Sequence, residues 1–140
     1  MIAIAQIDEE FRECFLVMQH LRPHLELQTF LEQVERMYRQ HQYQLVYVRN
    51  EYVVCVAGIR IGEWLHTGRY LEIEDLITLP EGRSQSYGAQ MFHWIVDYAK
   101  QERCQQVRLV SGVAREAAHR FYLKHGMTFE AKYFSMNVNA

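Results

Sequence analysis

Three segments rich in β-branched and aromatic residues follow one another along the chain, and they restrict its fold more than any other feature of the sequence. They span residues 45–48, 52–60 and 70–79, and only the polar stretch 49–51 separates the first two. Parallel neighbours need a connection of about a dozen residues or more, so these short connections favour antiparallel pairing. The sequence therefore predicts three consecutive antiparallel strands.

Apolar residues at helical spacing lie on both sides of these strands and predict helices there. In chain order, the predicted elements are a strand over residues 2–7, a helix that contains Phe11, Phe15 and Met18, a helix over 27–41, the three strands, a helix from Tyr87, a strand over 107–110, a helix over 114–122 that turns at Gly126, and a strand over 133–138. This order, βααβββαβαβ, predicts an α/β sandwich, of the α+β kind, with a mixed, mostly antiparallel sheet flanked by helices.

Size and charge limit the kind of protein this is. The chain has 140 residues, of which 49% are hydrophobic, so we expect a single domain over residues 1–140. A formal net charge of -2 makes nucleic acid a poor partner. The main apolar run, residues 53–59, is far shorter than the roughly 20 residues of a membrane-spanning helix, and no export signal precedes Asp8. We therefore expect a cytoplasmic protein that has no membrane partner and keeps its three cysteines reduced.

The stretch from Leu76 to Gly88 is the most informative for function. A strand ends at Pro80, and a polar turn then leads directly into a helix. Backbone N–H groups and the helix dipole converge at such a turn, which suits a pyrophosphate. An ordinary strand-to-helix turn explains these residues equally well.

Two motifs in this order resemble the GNAT (N-acetyltransferase) superfamily. In the first, Arg83 and Gly88 match the ends of the pattern Arg or Gln, two residues, Gly, one residue, Gly or Ala, and Ser86 replaces the middle glycine. In the second, residues 118–127 resemble the family's helix that ends in a tyrosine, three residues, then glycine and an apolar residue. Arg115 stands where the family often has an asparagine that touches the coenzyme.

The resemblance implies an acetyltransferase that uses acetyl-CoA as cosubstrate and requires no metal. The coenzyme is then expected between the strands over 70–79 and 107–110, with its pantetheine arm paired to the backbone of Ile77 and Leu79. The amide near Ile77 becomes a donor to the thioester oxygen. The other residues expected at the coenzyme are Arg83, Gln85, Ser86, Tyr87, Gly88, Ala89 and Arg115.

Two side chains are candidates for proton transfer. Glu72 and Glu74 lie two apart on one strand, hence on one face at about 6.6 Å, with Asp75 on the other face. The resemblance favours Glu72 as the base, although Glu74 or two solvated carboxylates fit the pattern as well. Tyr122 resembles the tyrosine that donates a proton to the departing thiolate, and its alternative role is that of a core aromatic residue.

The resulting hypothesis is an N-acetyltransferase that acts by direct attack of a primary amine of a small molecule or peptide. The alternative is a noncatalytic acyl-CoA sensor, suggested by the replacements at Ser86 and Arg115. The resemblance also implies that a homodimer is possible. It further implies an acceptor pocket built by the first two helices and residues 62–69, whose composition suggests tolerance of a cation.

Overall fold

The order of elements follows the hydrophobic periodicity closely. A computed structural model of the protein describes residues 1–139. The elements are β1 (Ile2–Ile4), α1 (Asp8–Met18), α2 (Leu27–His41), β2 (Gln44–Arg49), β3 (Val53–Trp64), β4 (Gly68–Thr78), a 3-10 helix (Pro80–Gln85), α3 (Tyr87–Gln101), β5 (Gln106–Leu109) and α4 (Glu116–Lys124).

The strands form one five-stranded sheet in the order β1-β2-β3-β4-β5. β1 pairs antiparallel with β2, β2 with β3 and β3 with β4, and the last two of these pairings agree with the short connections. The turn between β2 and β3 is closed by a hydrogen bond from the Asn50 N–H to the Tyr52 carbonyl. The predicted fold class, a mostly antiparallel sheet with flanking helices, is confirmed.

Side chains of the central strands pack against helices on both faces of the sheet. Leu45 and Tyr47 of β2 belong to a cluster with Cys14, Phe15 and Phe30 from α1 and α2. The intervening residues of β2 point away from that cluster, because successive side chains of a strand alternate between faces. On that side α3 lies against β3 and β4 and buries Met91 and Ile95 completely. The sheet is thus covered by helices on both faces.

A β-bulge interrupts β4 at Glu74. Gly58 pairs with Asp75 and Ile59 pairs with Ile73, so Glu74 has no partner on β3. One extra residue reverses the alternation of side chains along a strand. The prediction that Asp75 lies on the opposite face from Glu74 is therefore wrong, because both side chains reach the face that α1 and α2 cover.

Three contacts hold the bulge. The Tyr43 hydroxyl donates to Asp75 Oδ2 at 2.7 Å. The Arg22 guanidinium contacts Asp75 Oδ1 at 2.9 Å and donates to the Glu74 carbonyl at 3.3 Å. Arg22 follows α1 and Tyr43 precedes β2, so residues distant in sequence fix the backbone of β4.

The predicted strand over residues 133–138 is absent from the structure. Residues 128–139 contain no helix or strand. Tyr133, Phe134, Met136 and Val138 are 71–85% exposed, so their alternating pattern meets no neighbouring strand among the described residues. Alternation predicts a strand only where a partner supplies hydrogen bonds.

The described residues divide into two compact units, Met1–Arg108 and a second unit that begins at Leu109. The single domain over 1–140 stays a prediction. Among the described residues, no helix is both long and apolar enough to cross a membrane.

We expect Gly58→Ala to destabilise the protein by roughly 1–3 kcal/mol. A Cβ at this position would lie 1.8 Å from the Tyr43 hydroxyl and 2.7 Å from Asp75 Oδ2, so the hydrogen-bonded pair must move. Urea unfolding of the variant measures the loss. Gly112→Ala is the control, because its Cβ meets only Arg115, at 3.8 Å. Equal stability of both variants and the wild type would contradict this prediction.

Candidate active site

The turn predicted to hold a pyrophosphate combines a short 3-10 helix with the start of α3. Ser86 joins the two helices and has φ 64° and ψ 20°, a left-handed conformation that favours glycine. Its carbonyl accepts the first hydrogen bond of α3, from the Gln90 N–H, while its side chain caps nothing. Ser86 therefore adopts a backbone conformation that glycine takes more easily than serine.

The first turn of α3 is suited to an anion. The N–H groups at Ser86, Tyr87, Gly88 and Ala89 have no partner within the helix, because the first turn has no preceding carbonyls. No acidic residue lies in this turn, and no side chain caps it. The positive end of the helix dipole thus stays uncompensated by neighbouring side chains, and phosphate oxygens are its natural ligands.

Arg83 and Gln85 lie on the same turn and are exposed. The Arg83 Nε donates to the Thr78 carbonyl at 3.3 Å, which places its guanidinium between the end of β4 and the turn. Gln85 and Tyr87 line a cavity of about 410 Å³ together with residues of the β2–β3 turn. Asn50, which the sequence did not single out, donates to the Tyr87 hydroxyl at 3.1 Å.

The sequence predicted that the backbone groups of Ile77 and Leu79 are free to pair with an added strand, and the structure differs from this prediction. The Leu79 N–H donates to the Val54 carbonyl, and Ile77 pairs with Val56 two residues earlier. In an antiparallel ladder, alternate residues direct both backbone groups to the same neighbour. Ile77 and Leu79 therefore bond β3, which contradicts the predicted pairing of their amides with an added strand, and the backbone groups that face away from β3 belong to Leu76 and Thr78.

Glu72 is held in an ion pair. The Arg108 Nε donates to Glu72 Oε1 at 2.8 Å. The guanidinium of Arg108 stacks over two rings, 3.6 Å from the centre of Tyr70 and 4.0 Å from that of Trp64. Cation–π contacts of this kind add to the ion pair and restrict the motion of both partners. Sequence periodicity gave no signal for Arg108, because this contact joins two strands.

Glu74 has a different environment. Its Oε2 lies 2.7 Å from Arg60 Nε, yet that buried N–H lacks hydrogen-bond geometry to any described acceptor. The two observations together describe an ion pair in contact but poorly aligned. Burial raises the pKa of Glu74 above its usual value, and the nearby charges of Asp75 and Glu72 add to this effect, while Arg60 opposes it.

Glu74 also lines a second cavity, of about 330 Å³, which Glu72 does not reach. Asp75, Arg22 and Tyr43 belong to the same lining. Its remaining walls come from the end of α1, the connection to α2 and α2 itself: Met18, His24, Leu25, Phe30, Gln33, Val34 and Met37. The bulge residue therefore brings a carboxylate of raised pKa into a pocket whose helix side is mainly apolar.

The second unit carries Tyr122 and Arg115. Tyr122 lies on α4, with its ring 5.7 Å from that of Phe121, and its carbonyl accepts from the Met127 N–H. Burial raises the pKa of the Tyr122 phenol, and the Arg115 charge opposes this. Arg115 precedes α4, and its carbonyl accepts the His119 N–H. The described residues contain no cluster of three or more side chains suited to a metal ion.

Comparison with known proteins places this arrangement in a known group. Residues 4–127 match the model of the acetyltransferase (GNAT) family. The chain is 33% identical over 132 residues to the uncharacterized N-acetyltransferase YhdJ of Bacillus subtilis (strain 168), with 93% of each chain covered. It is 34% identical over 80 residues to the aminoalkylphosphonate N-acetyltransferase of Salmonella typhimurium, covering 56% of this chain and 52% of that protein.

The fold has solved counterparts as well. The crystal structure of a GNAT family acetyltransferase from Staphylococcus aureus matches with a TM-score of 0.81, covering 99% of this chain and 98% of that one. The two sequences are 13% identical, so the likeness concerns the fold.

We expect Ser86→Gly to stabilise the protein by about 0.5–1 kcal/mol. The substitution removes left-handed strain of about 1–2 kcal/mol and adds roughly 0.5–1 kcal/mol of backbone entropy cost. Thermal or urea unfolding measures the gain. Ser86→Ala is the matched control, which keeps the strain and loses no capping bond. A less stable glycine variant would show that the serine hydroxyl supports the turn.

The raised pKa of Glu74 makes the stability of the protein depend on pH. The folded state favours the protonated carboxyl, so this contribution to stability is complete below the usual pKa of about 4.3 and is lost as pH rises through the raised value. Glu74→Gln does not titrate, and its stability relative to the wild type should therefore increase from pH 4 to neutrality.

Urea unfolding at several pH values measures this difference. Glu35→Gln, on the exposed side of α2, controls for the loss of one carboxylate. A relative stability of Glu74→Gln that falls with pH would show that the ion pair with Arg60 outweighs burial.

Proposed function

The chain belongs to the acetyltransferase (GNAT) family, and from this premise we propose that it transfers an acetyl group from acetyl-CoA to a primary amine of a small molecule or peptide. The observation that carries the proposal is the first turn of α3. Ser86 takes a left-handed conformation that favours glycine, the residue of the family's motif, and the amides that follow it have neither a side-chain cap nor an acidic residue in the same turn. Such a turn fits a pyrophosphate.

The donor side uses backbone groups more than side chains. The amides from Ser86 to Ala89 hold the pyrophosphate, and Arg83 adds a charge-assisted hydrogen bond. Leu76 and Thr78, whose backbone groups face away from β3, pair with the pantetheine arm as an added strand would. The Leu76 amide takes the place of Ile77 as donor to the thioester oxygen. Arg115 stays a proposed coenzyme contact on the resemblance alone.

The acceptor side requires a base. An alkyl amine has a pKa of about 10.4, and removing its proton at pH 7 costs roughly 4.6 kcal/mol. We assign this role to Glu74 instead of Glu72, because Glu74 lines the cavity and has a raised pKa, whereas Arg108 engages Glu72. The free amine nitrogen then forms a bond to the acyl carbon as the bond from carbon to sulfur breaks.

Tyr122 is proposed to donate to the departing sulfur, a role that rests on the resemblance of residues 118–127. Its raised pKa keeps the phenol protonated through neutral pH, which a donor requires. The same shift makes complete proton transfer to a thiolate, whose pKa is about 8.5, more unfavourable. Tyr122 therefore acts mainly as a hydrogen-bond donor.

We expect Tyr122→Phe to lower turnover by about 10²- to 10⁴-fold while acetyl-CoA affinity stays nearly unchanged. The change removes one hydroxyl and keeps the ring that packs on Phe121. The assay follows thiol release from acetyl-CoA with a panel of primary amines, from neutral to mildly alkaline pH. Tyr98→Phe is the matched control, since it removes a hydroxyl that bonds Gln44.

The outcomes separate the alternatives. If Tyr122→Phe turns over as fast as the wild type, the proposed donor role is wrong and Tyr122 is a packing residue. Coenzyme binding without thiol release for any amine would contradict the transfer reaction and favour the sensor.

A further inference from the structure

The cavity beside the bulge carries information about the acceptor. Resting on the proposed function, we infer that this cavity receives the acceptor, and that the acceptor is a small primary amine on an apolar body without an acidic group. Its ammonium would meet Glu74, and its body would lie against α1 and α2. This substrate class differs from the anionic aminoalkylphosphonates named for one relative.

The helix side of the cavity is mainly apolar. Met18, Phe30 and Val34 are 2–7% exposed, and they belong to the core cluster of the α1 and α2 face. Met37 and Leu25 complete the wall from partly buried positions. The buried part of this wall gives a hydrophobic body its main stabilisation and gives a phosphonate or carboxylate no hydrogen-bond donor, while the polar lining residues His24 and Gln33 are exposed.

The cavity does hold one strong cation, and that cation is already engaged. The Arg22 Nε and Nη2 both lie close to Asp75 Oδ1, at 3.0 and 2.9 Å. Tyr43 occupies Asp75 Oδ2. Both oxygens of Asp75 thus have partners from the protein, and an anionic acceptor would compete with Asp75 for the charge of Arg22.

Glu74 supplies the acceptor atom that remains. The only described contact of its carboxylate is from Oε2 to Arg60, which lies outside the cavity lining, and Oε1 has no described partner. The lining therefore offers one carboxylate oxygen to a donor. An ammonium or amine N–H meets that requirement, and a negatively charged group does not.

Glu74 lies in the cavity lining and also close to the edge of β4 where the coenzyme is proposed to bind. Leu76, whose backbone faces away from β3, lies two residues further along β4, a distance of about 6–7 Å. An amine bound at Glu74 would therefore lie close to the edge of β4 where the thioester is proposed to bind. The volume of about 330 Å³ lies within the range of roughly 300–1,000 Å³ that is typical of small-ligand sites, and it suits an arylalkylamine.

The experiment measures binding and transfer separately. Phenethylamine and 2-aminoethylphosphonate are titrated calorimetrically into the protein with coenzyme A present, and thiol release from acetyl-CoA is followed for each amine. Gln33→Lys places a cation on the cavity lining and should weaken phenethylamine binding about tenfold, without changing acetyl-CoA affinity.

The matched control is Gln40→Lys, the same change on the same helix. Gln40 lies seven residues from Gln33, about 10.5 Å along the axis, beyond the Debye length of about 8 Å at 0.15 M salt. It is exposed and outside the lining. This variant should bind phenethylamine as the wild type does.

Tighter binding of 2-aminoethylphosphonate than of phenethylamine, no binding of phenethylamine, or equal effects of the two lysines would each overturn the inference. Transfer to the phosphonate alone would overturn it and leave the proposed function standing. Phenethylamine binding that Gln33→Lys weakens, without thiol release, would support the cavity and overturn the transfer reaction.

Discussion

The hydrogen bonds around Asp75 are the interaction on which the acceptor side of this protein depends. Asp75 accepts from Tyr43 and Arg22, and Arg22 also bonds the carbonyl of the bulge residue, Glu74. The cluster exists only because Gly58, opposite Asp75, has no Cβ to fill the space of the Tyr43 hydroxyl. Gly58 therefore leaves room for the polar contact between Tyr43 and Asp75, and this contact holds the bulge in β4. The bulge in turn directs the Glu74 carboxylate toward the cavity.

The proposed coenzyme site at the start of α3 also depends on backbone conformation. A 3-10 helix and an α-helix meet at Ser86, and the left-handed residue between them lets the amides of α3 point outward without a cap. A serine carries this conformation at a cost of about 1–2 kcal/mol, as an L-residue must. Strain of this size persists where the surrounding structure over-determines the backbone. Here the buried Met91 and Ile95 of α3 and the ladder of β4 supply that support.

Glu72 and Glu74 of β4 have different ion-pair partners, and this difference underlies the roles proposed for them. Glu72 meets a guanidinium stacked on Tyr70 and Trp64, while Glu74 meets Arg60 in poor alignment, and burial raises the pKa of Glu74. The resemblance pointed to Glu72, because spacing along a motif takes no account of the partner that another strand brings. The cavity and the environment of each carboxylate favour Glu74 as the base. Arg108, which makes the difference, carries no pattern of its own in the sequence.

The sequence by itself determined the order of helices and strands as far as α4, the mostly antiparallel sheet, and the turn at Arg83 to Gly88, because these follow from local periodicity and turn chemistry. Tertiary structure decided what depends on pairing between distant segments. The bulge at Glu74 placed Asp75 on the unexpected face, and the ladder to Val54 left Leu76 and Thr78, instead of Ile77 and Leu79, facing outward. The alternating residues 133–138 formed no strand, since alternation describes one strand and hydrogen bonding needs two.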